Sequence, residues 1–305
     1  LTVPAIWTDS AKQFIREAAR EAGIHDDQLM LAYEPEAAAL YCRLLPIDRF
    51  GSGGEHQELV LKTFERGKKF MVIDLGDGLS FFSGGTVDVS VQEITDTGKM
   101  KSIYNVCGGP WGGTRVDEEF TQFLIKLLEQ MCLLSSRLSV GLNTWNSMKR
   151  VVLKISPALV DILSERSGEE FEEKFKTLQQ NKALSFSGDK LNIDNSLFAS
   201  FFKSSMNEIN SHIEDIFNAD NCRDLVVVVM VGGISERMFF ISAVKKAFPH
   251  RKFIIPMEAG SVAKGAVLFG YDPDIIFSRT CRYTYGHDIG VPFDISIHPQ
   301  ERGKL

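Results

Sequence analysis

Two apolar runs, one of them interrupted only by Asp74, do most to constrain this fold. Phe70 to Leu75 and the Val-rich stretch ending at Val231 each stop at a glycine-bearing turn. A short apolar run bounded by turn residues reads as a buried strand. Thr86 to Glu93 instead alternates polar and apolar residues, which predicts a strand with one apolar face. Helical patterns lie between such runs along the whole chain, so the class is α/β.

The first 46 residues read strand, helix, strand, helix. Ser10 and Gln13 form a capping-box pattern. Behind them Ala11, Phe14, Ile15, Ala18, Ala19 and Ala22 recur at helical spacing, up to a stop at Gly23. Leu29 to Tyr33 is a strand pattern, and Glu34 to Leu45 a helix with Pro35 in its first turn. Residues 51–69 are rich in Gly, Glu and Lys and are expected to form a solvated connection. A further strand is expected through Lys101 to Val106, then a loop at Gly108 to Gly113. Val116 to Met131 is an amphipathic helix. Residues 135–223 read as mostly helical, with a strand pair near 183–193, and Phe198, Phe201 and Phe202 form a core-facing set. A helix follows Gly233 and ends before Pro249, Phe253 to Ile255 is a short strand, and strand character returns from Ile275. In the helix Glu258 to Phe269, the small residues Gly260, Ala263, Gly265 and Ala266 are expected to meet a close neighbour.

Composition narrows the function classes. The chain has 305 residues, about two domains at ~150 residues each. Apolar residues make up 44% and charged residues 24%, a globular mix. A net charge of −6 offers no basic footprint for nucleic acid. The longest apolar run, Leu225 to Ile234, is far below the ~20 residues that span a bilayer. The five cysteines are scattered, odd in number and without zinc spacing, which predicts a reduced, intracellular compartment.

Chemistry concentrates at three turns that follow apolar strands: Asp74-Leu75-Gly76, Gly84-Gly85-Thr86 and Gly232-Gly233. Glycine lets backbone N–H groups approach phosphate oxygens, because no side chain intervenes. Any one such turn is more often punctuation, but three beside acids at strand ends point to a phosphate clamp. The acids are Glu34, Asp74 and Asp88. Asp88 lies between Val87 and Val89, where a carboxylate needs a partner to offset its desolvation. Magnesium held with a phosphate group, mostly through waters, would be one, and a hydrogen-bonded turn would be another. No Gly-x4-Gly-Lys-Ser/Thr loop, dinucleotide fingerprint or nucleophile elbow is present.

The ordered motifs resemble the nucleotide-binding domain of the heat-shock 70 kDa family. They are Leu1-Thr2-Val3-Pro4-Ala5-Ile6-Trp7, Glu34-Pro35-Glu36-Ala37-Ala38-Ala39, Phe70 to Gly76 with Gly84 to Val91, Gly108-Gly109-Pro110-Trp111-Gly112, Met230-Val231-Gly232-Gly233 and Lys264 to Gly270. The Gly-Gly-Pro-Trp-Gly block is similar to a divergent branch of that family rather than to its standard chaperones. The resemblance implies an actin-like ATPase (ribonuclease H-like) fold, with two lobes around an ATP or ADP cleft. Asp74 and Asp88 would then hold Mg2+ and orient the attacking water, with Glu34 a coupling carboxylate. Gly76, Gly84, Gly85 and Thr86 would form the second phosphate loop. Gly232 and Gly233 would meet the α-phosphate and adenosine, and Lys149 and Arg150 would flank the adenine.

The same resemblance assigns 1–69 to the remainder of lobe I, 70–274 to lobe II, and 275–305 to a return segment. It places the opening phosphate loop and its Lys upstream of Leu1, so the chain reads as a fragment. It also sets Asp77 to Ser83 as an insertion between Gly76 and Gly84, although Asp74 to Ser80 could itself be aligned as the loop. Two functions stay open: a cytoplasmic, ATP-binding chaperone-like protein with client or partner proteins, and a nucleotide-independent interaction protein that keeps the fold. A sugar kinase on the same superfold fits less well, because nothing marks a sugar-binding acid.

Overall fold

The structure is a computed structural model. It describes residues 1–46, 54–75, 85–132, 150–167, 173, 175, 183–232, 234–256, 260–281, 283, 284, 286, 287 and 296. Its centre is a seven-stranded mixed sheet. Strand β3 (Lys69–Leu75) lies between β4 (Val87–Ile94), antiparallel to it, and β10 (Val227–Gly232), parallel to it. Outside these lie β11 (Lys252–Ile254), parallel to β10, and β5 (Met100–Ser102), antiparallel to β4. Strand β12 (Ile276–Ser278) runs parallel to β5, and β6 (Cys107–Gly109) pairs with the start of β4. Two smaller sheets are separate: β1 (Thr2–Val3) with β2 (Ala32–Tyr33), and β7 (Arg150–Lys154) with β9 (Lys190–Asp194) and β8 (Leu184–Ser187).

Alternation along the central strands builds two cores. Met71, Ile73, Leu75, Val87, Val89, Val91, Val228 and Met230 face one layer. There they meet Phe120 of α4 (Gly113–Cys132), Phe198 of α6 (Asn195–Ser200), Ile209 and Ile213 of α7 (Lys203–Asn218), and Phe240 of α8 (Ile234–Ala247). Phe198, Phe201 and Phe202 are buried there, as their spacing predicts. Phe70, Val72, Val227, Val229 and Val231 face the other layer. That layer holds α2 (Glu34–Leu44), Val60 of α3 (Gly54–Thr63), and α9 (Ser261–Tyr271). Two further helices are α1 (Asp9–Glu21) and α5 (Pro157–Ser167).

Several sequence expectations are corrected. Thr8 caps α1, its hydroxyl accepting from the Ala11 amide at 3.3 Å, so the helix starts before the Ser10 pattern. Phe14 faces solvent at 68% exposure, because only Ala19 of that helix is buried. The stretch 51–69 is not all connection: α3 forms within it, with Val60 and Thr63 buried. Strand β4 keeps the one apolar face that its alternation predicts, Val87, Val89 and Val91, and α2 covers the polar face that carries Asp88, Ser90 and Gln92. The expected strand through Val106 is shorter, and β6 forms inside the expected glycine loop.

Helices α2 and α9 pack against each other along much of their length. A Cβ on Gly265 would lie 1.7 Å from the Ala37 carbonyl oxygen, so no larger residue fits the observed approach. Only part of the expected small-residue face makes this contact. Gly265 and Ser261 are buried, whereas Gly260 and Ala263 are exposed.

Candidate functional site

The candidate site forms where β10, β3 and β4 end together. Register aligns Val231 with Asp74, and Asp74 with Asp88; one step further, Gly232 aligns with Leu75, and Leu75 with Val87. Asp74 and Asp88 are thus a directly opposed cross-strand pair. Such pairs place their Cβ atoms ~4.5–5.5 Å apart on one face, where two like charges repel unless a proton or a cation intervenes. Both acids are buried, Asp74 at 5% and Asp88 at 1% exposure.

Asp88 is held from two sides. Its Oδ1 accepts from the Ile6 amide at 3.0 Å, and its Oδ2 from the Thr86 hydroxyl at 2.7 Å. Burial pushes its pKa up from the ordinary carboxylate value, and the Thr86 hydroxyl and the Ile6 and Ala5 amides pull it only partly back. The Ile6 amide arrives through the β1–β2 ribbon, in which Val3 pairs with Tyr33. One step further along that register lies Glu34, the first residue of α2 and buried at 5% exposure. The ribbon therefore brings Glu34 and the Asp88 cap to the same end of the sheet.

Glycines shape the walls. Gly232 adopts φ +118°, and a Cβ there would fall 2.0 Å from the Leu75 carbonyl oxygen. Gly85 packs under the loop that follows β6, where the Gly112 amide donates to its carbonyl at 3.0 Å. A Cβ on Gly85 would meet the Thr114 hydroxyl at 2.5 Å. The Gly108 to Gly112 block thus buttresses the Gly85-Thr86 end of β4, a role that its composition alone did not indicate.

Asp74, Asp88, Gly85, Thr86 and Gly232 share this edge. Arg150 does not lie on this sheet; it opens β7, paired with Asp194. Gly76, Gly84, Lys149, Gly233 and the stretch 77–83 lie outside the described residues. Among the described residues no three His, Cys, Asp or Glu side chains form a metal cage. A carboxylate pair of this kind suits Mg2+, which keeps most of its waters and takes one or two carboxylates besides phosphate. No sequence motif signals the bidentate ion pair on Glu36, two residues beyond Glu34. Arg279 donates from Nε and Nη2 to buried Glu36 at 2.8–3.0 Å.

Comparison with known proteins gives one family. The model of the Hsp70 protein family matches residues 1–271. Heat shock 70 kDa protein 12A of Mus musculus is 31% identical over 99% of this chain, and heat shock 70 kDa protein 12B of Homo sapiens is 28% identical over the same share. The chain spans about half, 52%, of the length of each. The chaperone protein DnaK of Elusimicrobium minutum is 30% identical over 41% of the chain. Among solved structures, a non-polymerisable quadruple mutant of pCBH ParM superposes with a TM-score of 0.51 at 12% identity, covering 88% of this chain and 67% of its own. That likeness is one of fold.

Proposed function

Because this chain belongs to the Hsp70 family and has the actin-like ATPase fold, we propose that it forms a domain that binds ATP or ADP with Mg2+ and serves a chaperone-like protein in the cytoplasm. The observation that carries this reading is the opposed pair Asp74 and Asp88, buried beside the Gly232 turn. A magnesium–nucleotide complex would bring positive charge to two carboxylates in register at a strand end, together with phosphate oxygens for the turn amides.

In this reading Asp74 and Asp88 hold the metal's waters, and Thr86 and the Ile6 amide fix the Asp88 carboxylate plane. Gly85, with Gly76 and Gly84, offers amides to the phosphates. Gly232 and Gly233 are the proposed turn that meets the α-phosphate and sugar; close packing on β3 already requires glycine at 232, where a Cβ would strike the Leu75 carbonyl. Glu34, at the start of α2, is the acid placed to report on the phosphate end. Lys149 and Arg150 are the proposed adenine-flanking pair. Bound Mg2+ would neutralise charge developing on a transferred phosphoryl group. Residues 1–69 and 70–274 are read as the two lobes around this cleft.

One feature favours a second reading. Both Asp88 oxygens already accept hydrogen bonds from the protein, which satisfies this carboxylate without metal or nucleotide. A pseudo-ATPase that acts by interaction alone would look like this. Thermal unfolding separates the two. A ligand at ~100 times its Kd adds about 2.7 kcal/mol to the folded state. Mg·ADP is expected to raise Tm in a chelator-sensitive way, whereas an unchanged Tm at saturating nucleotide supports the second reading.

A further inference from the structure

We propose that a cavity between the start of α1, Tyr33 and the tail at 279–283 binds a small aromatic monocarboxylate, on the scale of a single-ring acid. The cavity encloses about 240 Å³. A cavity of ~150 Å³ accepts benzene, so this one has room for a ring and a carboxylate.

Its wall has the matching chemistry. Trp7, Tyr33 and Tyr283 contribute aromatic surface, and Lys12 and Arg279 contribute two cations. Both cations lie against one ring: the Lys12 Nζ is 4.7 Å from the Tyr33 centroid, and the Arg279 guanidinium carbon 5.1 Å. Neither cation is fully used. Lys12 donates to the Tyr33 hydroxyl at 3.0 Å and to Asp9 at 3.4 Å, leaving one of its three N–H groups. Arg279 commits Nε and Nη2 to Glu36, leaving Nη1. The Lys12 side chain is only 19% exposed, so its charge is less screened than an open-surface lysine. Asp9, 79% exposed beside Lys12, adds one negative charge at the rim. Asp9 offsets Lys12 and Glu36 offsets Arg279, so no net positive charge favours a dianion such as phosphate, and a carboxylate is received by the one N–H group that Lys12 keeps and by Nη1 of Arg279. A planar acid placed here would pair its carboxylate with the cations and its ring with the aromatic wall.

The cavity adjoins the Asp88 end of the sheet through Ala5, whose amide reaches that carboxylate, and its exposed thiol supplies a reporter. Cys281 lines the cavity and faces solvent, whereas Cys42 and Cys222 are buried. The chain is titrated with benzoate, with benzamide as the neutral isostere and with inorganic phosphate. Saturation-transfer NMR follows binding, and peptide mapping follows iodoacetamide alkylation of Cys281. Benzoate is expected to bind saturably and to slow alkylation of Cys281 but not of Cys107. Loss of a charge-assisted hydrogen bond predicts at least about tenfold weaker binding for benzamide and for Lys12→Met. Tyr283→Ala removes a 59% exposed ring and is expected to weaken benzoate binding, which keeps the test decisive if Lys12→Met does not fold. The proposal is overturned if benzoate gives no saturable protection, if benzamide or phosphate protects equally well, or if the folded variants bind benzoate as the parent does.

Discussion

Asp88 shows what one residue can reveal in sequence and what it cannot. A carboxylate between two valines in a strand had to be partnered, and the structure supplies Thr86, two residues away, and the Ile6 amide, 82 residues away. The first partner is local and legible; the second depends on the β1–β2 ribbon folding against β4, which no local pattern encodes. The same carboxylate gives a pH prediction. Its pKa in the folded chain is raised above the unfolded value of ~3.9, so the folded state keeps its proton longer. The associated stability is fully present below the unfolded pKa and is lost as pH rises through the folded pKa. Asp88→Asn cannot titrate, so its stability relative to the parent is expected to improve as pH rises from about 4. Urea midpoints of both proteins across that range check this, and parallel pH curves would contradict it.

At the scale of elements, periodicity served well where burial is one-sided or complete. Strands β3 and β10 and helix α4 emerged from their apolar patterns because each pattern is local and long enough to read. Helix α3 was hidden because its short buried side lies in a polar, glycine-bearing stretch. Strand β6 was hidden because Cys107-Gly108-Gly109 has little strand propensity; a Cβ at Gly108 would lie 2.0 Å from the Val87 carbonyl oxygen, so close approach explains the glycine there. The α2–α9 contact yields a paired prediction. Gly265→Ala forces a methyl against Ala37 and is expected to cost about 1–3 kcal/mol by overpacking. Gly270, in the same helix, has open space around it, so Gly270→Ala is expected to be neutral or to stabilise by up to ~1 kcal/mol. Equal shifts in the two urea midpoints would argue against the close-contact account.

Across the whole molecule, the chain's later strands close onto its first half. β12 adds an edge strand beside β5, the Thr280 hydroxyl donates to the Ser102 carbonyl at 2.9 Å, and Arg279 clamps Glu36 on α2. Glu36 is 2% exposed, so removing its cation leaves a buried carboxylate short of donors. Arg279→Ala is therefore expected to destabilise by about 1–3 kcal/mol and to speed amide exchange across Ile276 to Thr280 while β3 and β10 stay protected. Unchanged exchange in the tail would show that strand pairing alone holds it. The overall α/β class and the ordered glycine turns were visible in the sequence, and the family resemblance supplied the actin-like ATPase fold. The three-stranded sheet that carries Arg150 was legible only as its β8–β9 pair, because β7 lies in a stretch read as helical.

The central claim is that the Asp74–Asp88 edge is a magnesium–nucleotide site. Calorimetric titration of the chain with ADP and ATP, with and without Mg2+, tests it most directly. The account predicts saturable, Mg2+-dependent binding that falls at least about tenfold in Asp88→Asn, as loss of a charged ligand interaction implies. Folded protein that takes up neither nucleotide, or that binds both equally well in Asp88→Asn and in chelator, would contradict it.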